Sequence, residues 1–201
     1  IRADGPIPIA GSATVKARTL RNGEWSALQE ATFRAGIPAT AVSLTISEFS
    51  YRPAVSRADE AAGYSSSRFE FIELTNVGGE PVDVTGWSFD DDSRQPGVTD
   101  LSAFGTIHAG ESVVLAESSA EAFRAAWSLC DGVKVVDQYT NNLGRADEIN
   151  IFDGAGELVD RLTYGDNAAA GGPRTQAASA WVSAEGLGAN DATQWTLSVI
   201  G

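Results

Sequence analysis

Cysteine, histidine and methionine are nearly missing from this chain: 201 residues hold one Cys, one His and no Met. With Cys130 alone, no internal disulfide can form and no thiolate cluster can hold a metal. Cys130 follows Phe123, Trp127 and Leu129 in a helical pattern, which predicts a buried apolar thiol. A Ser–His or Cys–His pair would have to use His108, which sits in Thr-Ile-His-Ala-Gly-Glu, a polar strand-to-turn context that predicts a solvent-facing side chain. One imidazole without a second His or a thiolate excludes an ordinary zinc site. No apolar run approaches the ~20 residues needed to cross a bilayer. The missing Met, together with the missing signal peptide, reads as an excised or processed piece of something longer.

Positive charge is also scarce. The net charge is -13, from 14 basic and 27 acidic residues. Residues 1–36 hold five basic and three acidic side chains, so the excess of acid belongs wholly to the remainder. A surface this negative repels phosphate backbones, which argues against nucleic acid as a partner, and it favours solubility, cations or basic partners.

What the chain does have is β-structure punctuated by glycine, with 21 Gly and short alternating runs. Ala13–Leu20 alternates, Asn22-Gly23 is a strong hairpin signal, and a return strand is predicted from Trp25 to Phe33. Residues 37–43 read as a linker. Leu44–Tyr51 opens a second unit, with Leu44, Ile46 and Glu48 expected on one face and Phe49 on the other. Residues 54–68 read as a long exposed loop. In Phe69–Asn76 the phases conflict: Phe69 and Phe71 alternate one way, Ile72 and Leu74 the other. Either both faces are buried or a β-bulge shifts the register.

Further along, strands are predicted over Leu101–Ile107 and Glu111–Glu117, with Val113 and Leu115 inward. Ser118-Ser-Ala-Glu121 has the form of a capping box, and apolar spacing then predicts one helix over 119–130. Asp147–Asp153 and Glu157–Tyr164 flank a Gly-Ala-Gly hairpin tip, and a last strand is predicted over Gln194–Val199.

Two phrases carry a family likeness. Phe71-Ile-Glu-Leu-Thr-Asn76, a turn, then Val82-Asp-Val-Thr-Gly-Trp87 is the first; the hairpin Asp147-Glu-Ile-Asn-Ile-Phe-Asp-Gly-Ala-Gly-Glu-Leu-Val-Asp160 is the second. Over about residues 44–200 the chain resembles the lamin tail domain, an immunoglobulin-like β-sandwich of nuclear lamins and of secreted bacterial proteins. The resemblance implies an all-β, immunoglobulin-like β-sandwich with one short helix. In the nuclear relatives the domain touches DNA and other proteins; the acidity here argues against inheriting the DNA part. Residues 1–36 resemble the C-terminal part of a chitobiase C-terminal-type β-module, found in polysaccharide-associated and spore-coat-kinase-like multidomain proteins. The expected organisation is that partial β-module, the linker 37–43, and a sandwich domain over 44–201.

Paired carboxylates at Glu48, Glu70 and Glu73 could in principle do acid/base work, but short sandwich strands seldom build the cleft a glycosidase needs, so structural roles are expected. The acidic loop supplies the best cation candidate: Asp90, Asp91 and Asp92, with Asp100 nearby, offer hard oxygen donors suited to calcium. Asp153–Glu157 has a weaker version of the same appeal. Of the five tryptophans, at least three are expected in the core, Trp87 and Trp127 among them. The functional expectation is a non-catalytic accessory, adhesion or protein-interaction module of a larger exported bacterial protein, secreted or at the cell surface, with a protein or polysaccharide partner. Recognition is expected through loops 54–68, 90–100 and 165–180. The alternative is a calcium- or carbohydrate-binding module attached to an enzyme (hydrolase, nuclease or kinase-like) elsewhere in the parent chain.

Overall fold

Alternating apolar residues resolve into two packed sheets in the computed structural model, which describes residues 13–21, 23–26, 29–33, 43–55, 57–63, 65–137, 139–167 and 169–199. The predicted linker over 37–43 lies, Ser43 apart, outside the described residues. At the N-terminal side, β1 (Ala13–Ala17), β2 (Leu20–Arg21), β3 (Glu24–Trp25) and β4 (Gln29–Phe33) form nested antiparallel pairs, β1 with β4 and β2 with β3. The Arg18 guanidinium lies 4.3 Å from the centroid of the exposed Trp25 ring.

The sandwich begins with β5 (Leu44–Ser50), followed by a five-residue helix α1 (Arg57–Ala61), β6 (Phe71–Asn76), β7 (Val82–Asp83), β8 (Ser88–Asp90), β9 (Thr99–Asp100), β10 (Thr106–Ile107) and β11 (Ser112–Ala116). Helix α2 (Ala120–Trp127) leads to β12 (Lys134–Asp137), and β13 (Ala146–Phe152), β14 (Leu158–Gly165), β15 (Ala180–Val182) and β16 (Trp195–Leu197) complete it. One layer is a six-stranded sheet ordered β12-β11-β6-β5-β15-β16; the other is four-stranded, β14-β13-β8-β9. Between them lies one apolar core in which Ile46, Phe49, Ile72 and Leu115 from the larger sheet meet Phe89, Ile149, Leu162 and Tyr164 from the smaller. The all-β immunoglobulin-like sandwich is therefore the fold of this protein, with α2 as its principal short helix and the single turn of α1 as a second among the described residues.

The phase conflict in β6 has a physical resolution: both of its faces are covered. Ile72 and Leu74 enter the main core, while Phe71 packs with Val114, Ala116 and Phe123 in a second cluster beneath α2. The bulge sits on the partner strand. The β5–β6 register shifts between Ile46 and Glu48, so both Ser47 and Glu48 stand opposite Glu73. That extra residue turns Phe49 into the core and Glu48 outward, the reverse of a strict alternation from Leu44. Phe69 belongs to a short 3-10 turn ahead of the strand.

The strand predicted over Leu101–Ile107 is mostly another 3-10 turn at Ser102–Phe104, with only Thr106–Ile107 extended. Helix α2 is capped by Ser119, whose side chain accepts from the Ala122 N–H, and by Asp137, whose carboxylate accepts from the Ala120 N–H at 2.7 Å. The predicted cap at Ser118 is wrong by one residue: Ser118, two residues beyond β11, is fully buried, and Ser119 takes the cap position. β11 and β12 then pair in parallel across α2, a β-α-β crossover in an otherwise antiparallel sheet.

The two signature hairpins meet at their glycines. Gly86 has φ +76°, open to glycine at little cost, and a Cβ there would stand 3.5 Å from the Gly154 backbone. A Cβ on Gly154 would come within 3.2 Å of the Thr85 carbonyl oxygen.

Candidate functional site

The three loops expected to recognise a partner leave the same end of the sandwich. β5 ends there beside the start of β6, β8 runs antiparallel to β13 and ends opposite Asn150, heading toward the start of that strand, and β14 ends opposite its first residue. The segment after β14 returns along β5: Arg52 and Gln176 form a β-bridge, and the Ala177 N–H donates to the Arg52 carbonyl at 3.0 Å. Ala177 holds φ +61°, a strained left-handed conformation for a residue with a Cβ.

Between that segment and α2 an open cleft of about 500 Å³ lies on the outer face of the larger sheet, with Glu48, Phe69, Trp127, Ser179 and Val199 among its walls. A smaller cleft of about 290 Å³ adjoins it, shared by Arg52, Glu60 and Gln176. Sheet register explains the floor. Across the strands, Thr196, Trp181, Glu48, Glu73, Val114 and Val135 stand in one row. Helix α2 covers the Val114 end of that row. Trp181, at the other end, is 42 % exposed, and Trp127 on the cleft wall is 39 % exposed.

Hydroxyl chains run in from both edges to the two carboxylates. Ser198 and Ser179 share a hydrogen bond at 2.8 Å, and the Ser179 hydroxyl stands beside Glu48. From the other side Ser112 meets Thr75 at 2.7 Å, Thr75 donates to Ser47 at 2.7 Å, and Ser47 donates to Glu73 Oε1 at 2.6 Å. Burial raises the Glu48 carboxyl above the ordinary range, against the Ser179 hydrogen bond and with help from the neighbouring Glu73 charge. Like charges directly opposite each other on adjacent strands are unfavourable. Among the described residues, no lysine or arginine forms an ion pair with either carboxylate.

The acidic loop is built differently. Asp90 is fully buried: its Oδ2 accepts from Ser93 Oγ at 2.7 Å and the Gln95 N–H at 2.6 Å, and its Oδ1 accepts from Asn141 at 2.9 Å. Asp91 accepts from the Ser93 N–H at 3.2 Å. Asp92 is exposed, and Asp100 accepts from the Ser102 N–H at 2.8 Å; the Ser102 hydroxyl first, and then that N–H, hold its carboxyl below the usual range. Among the described residues no three His, Cys, Asp or Glu side chains converge as a metal site. Asp153 likewise closes its own turn, accepting from the Ala155 and Glu157 N–H groups at 2.9 Å.

The same loop covers Glu148. The Arg94 guanidinium donates twice to it, at 2.7 and 2.6 Å, and Thr163 adds a hydrogen bond at 3.1 Å. Chiefly through Arg94, the Glu148 carboxyl falls to about 2. Glu70, the third carboxylate singled out in the sequence, is in a different place from Glu48 and Glu73. It is buried at the inner side of the same end, accepts from the Leu143 N–H at 2.8 Å, and is pushed up to about 8 by burial.

Other expectations fare unevenly. His108 is exposed at its turn, as predicted, with its backbone N–H donating to Glu111. Cys130 is exposed rather than buried: α2 stops at Trp127, and Ser128 takes a left-handed φ of +51°, which breaks the helical spacing, so that Leu129 packs against the cluster beneath α2 while Cys130 faces solvent. Core burial of most tryptophans is also overturned. Trp195 is buried and Trp87 packs partly against the core, but Trp25, Trp127 and Trp181 are exposed. The β5 bulge, on which the outer row depends, left one sequence trace: the unequal spacing of Ile46 and Phe49.

A family model described as the lamin tail domain matches residues 38–166, more than half of the chain. No curated protein matches it significantly.

Proposed function

We propose, from the premise that this chain belongs to the lamin tail domain family, that it is a non-catalytic protein-interaction module of a larger exported bacterial protein. It binds through the sandwich end formed by residues 52–69 and 165–180. The observation that carries this reading is the open cleft of about 500 Å³ at that end, beside two exposed indoles. Small aromatic-rimmed depressions of this kind are where partner side chains anchor. Within the parent protein, residues 1–36 serve as the end of a chitobiase-type β-module, 37–43 as linker and 44–201 as the recognition domain, with an accessory or adhesive role at the cell surface.

Site-specific photo-cross-linking on the parent protein tests it. A cross-linker at Ala54 or Ala177 should capture a partner that one at Ala109 or Ala155, at the far end of the sandwich, does not. Equal capture from both ends, or turnover of a substrate lost on substituting Glu48 or Glu73, would sink the reading. The exposed Trp25, Trp127 and Trp181 favour a second reading, a carbohydrate-binding module serving an enzyme elsewhere in the parent chain. A glycan screen repeated with Trp181→Ala distinguishes it. The calcium version rests on Asp90, Asp91, Asp92 and Asp100, and a calcium-dependent rise in thermal midpoint is its test.

A further inference from the structure

We infer that the outer-face cleft takes a basic side chain, arginine or lysine, from an extended segment of a protein partner, with the stem lying against Trp127 and the charged head against Glu48. The inference rests on the protein-interaction reading above and names the chemistry of the partner.

Charge complementarity is the first ground. Glu48 and Glu73 face each other across β5 and β6, partly buried and without a cation partner among the described residues. Elsewhere at this end two carboxylates do have cation partners: Arg94 and Arg161 serve Glu148, and Arg145 and Arg174 serve Asp166. The Ser47 hydroxyl holds Glu73 as an acceptor and the Ser179 hydroxyl stands beside Glu48, yet neither supplies positive charge. A cation between them would relieve a repulsion that the fold leaves standing.

Shape is the second ground. The lining around Glu48 is largely aromatic and apolar: Trp127 packs edge-on against Phe71 with ring centroids 5.2 Å apart, and Phe69 and Val199 also line the cleft. An apolar wall leading to a carboxylate matches a side chain with a methylene stem and a charged tip, and a guanidinium beside an indole adds cation–π attraction. Ser50 supplies a third observation. Two residues beyond Glu48 and opposite the outward Phe71, it is fully buried on this side of the sheet, and among the described residues its hydroxyl has no hydrogen-bond partner. A neutral sugar would stack on the indoles but would leave the carboxylate repulsion in place.

The test uses the full chain and a labelled extended hexapeptide with one central arginine among small apolar residues. A citrulline version keeps the shape and removes the charge. Fluorescence anisotropy should show the arginine peptide binding about 10-fold more tightly or better, a preference that shrinks as salt rises. Glu48→Gln should remove most of that preference, and Glu157→Gln, on the exposed hairpin tip, should not. Val199→Arg, which offers the cleft a cation from within the chain and leaves the sheet untouched, should block the peptide. Equal binding of the two peptides, no binding of either, or an unchanged preference in Glu48→Gln overturns the inference. So does a neutral oligosaccharide binding where the arginine peptide does not. In each of those cases cross-linking from Ala177 still decides whether the end of the sandwich meets a protein at all.

Discussion

Individual carboxylates set how this protein responds to pH. Glu70 is raised to about 8 and Asp160 to about 6, both mainly by burial, so each favours the folded state in its protonated form. Their stabilisation is complete below the ordinary carboxylate range and is lost as pH rises through those values. Glu148 has the opposite sign. Held at about 2 chiefly by Arg94, it stabilises the fold above the ordinary value of 4.5, and that contribution fades as pH falls toward 2. The thermal midpoint should therefore be highest near pH ~4–5 and decline toward pH ~8. Glu70→Gln, which keeps an acceptor for the Leu143 N–H, should flatten the alkaline decline and raise stability at pH ~8 by about 1 kcal/mol or more. A midpoint higher at pH ~8 than at pH ~5 would show that the buried carboxyls do not behave this way.

Elements are held by a few contacts that can be removed one at a time. Helix α2 has only eight residues, too short to persist in water without tertiary packing. It is pinned by Phe123, buried against Phe71 with ring centroids 5.5 Å apart, and by Asp137 at its first N–H. Phe123→Ala should cost about 3–5 kcal/mol if the whole fold depends on that contact, and less if α2 alone detaches. The two cases separate by spectroscopy: detachment would red-shift Trp127 emission while the buried Trp195 keeps its environment. Detachment would also take away one wall of the cleft, so the same variant should lose arginine-peptide binding before it loses cooperative unfolding. The β5 bulge works at this scale as well. It is one extra residue, and it decides that Glu48 points outward while Phe49 enters the core.

For the whole molecule, the net charge of -13 dominates long-range behaviour. Charge of this sign works against phosphate backbones and toward basic protein surfaces. Electrophoretic mobility of a short DNA duplex at low salt should be unchanged by the purified chain, and a shifted band at micromolar protein would contradict that. Among the described residues no helix is long and apolar enough to cross a membrane.

Local patterns in the sequence already determined the class of fold, the positions of most strands, the two signature hairpins with Gly86 and Gly154, and the one principal helix. Such features depend on side-chain periodicity and turn chemistry, which are properties of neighbouring residues. The parallel crossover from β11 to β12, the bulge opposite Glu73, the one-residue shift of the α2 cap and the exposure of Trp127, Trp181 and Cys130 were decided only in three dimensions. Each depends on which distant segment covers which face. Strand alternation says that a residue faces one side of a sheet, but burial on that side is set by the layer packed against it. That is why Glu48, Glu73 and Trp181, far apart in the chain, become neighbours in one row, and why their meeting could be seen only once the strands were in register.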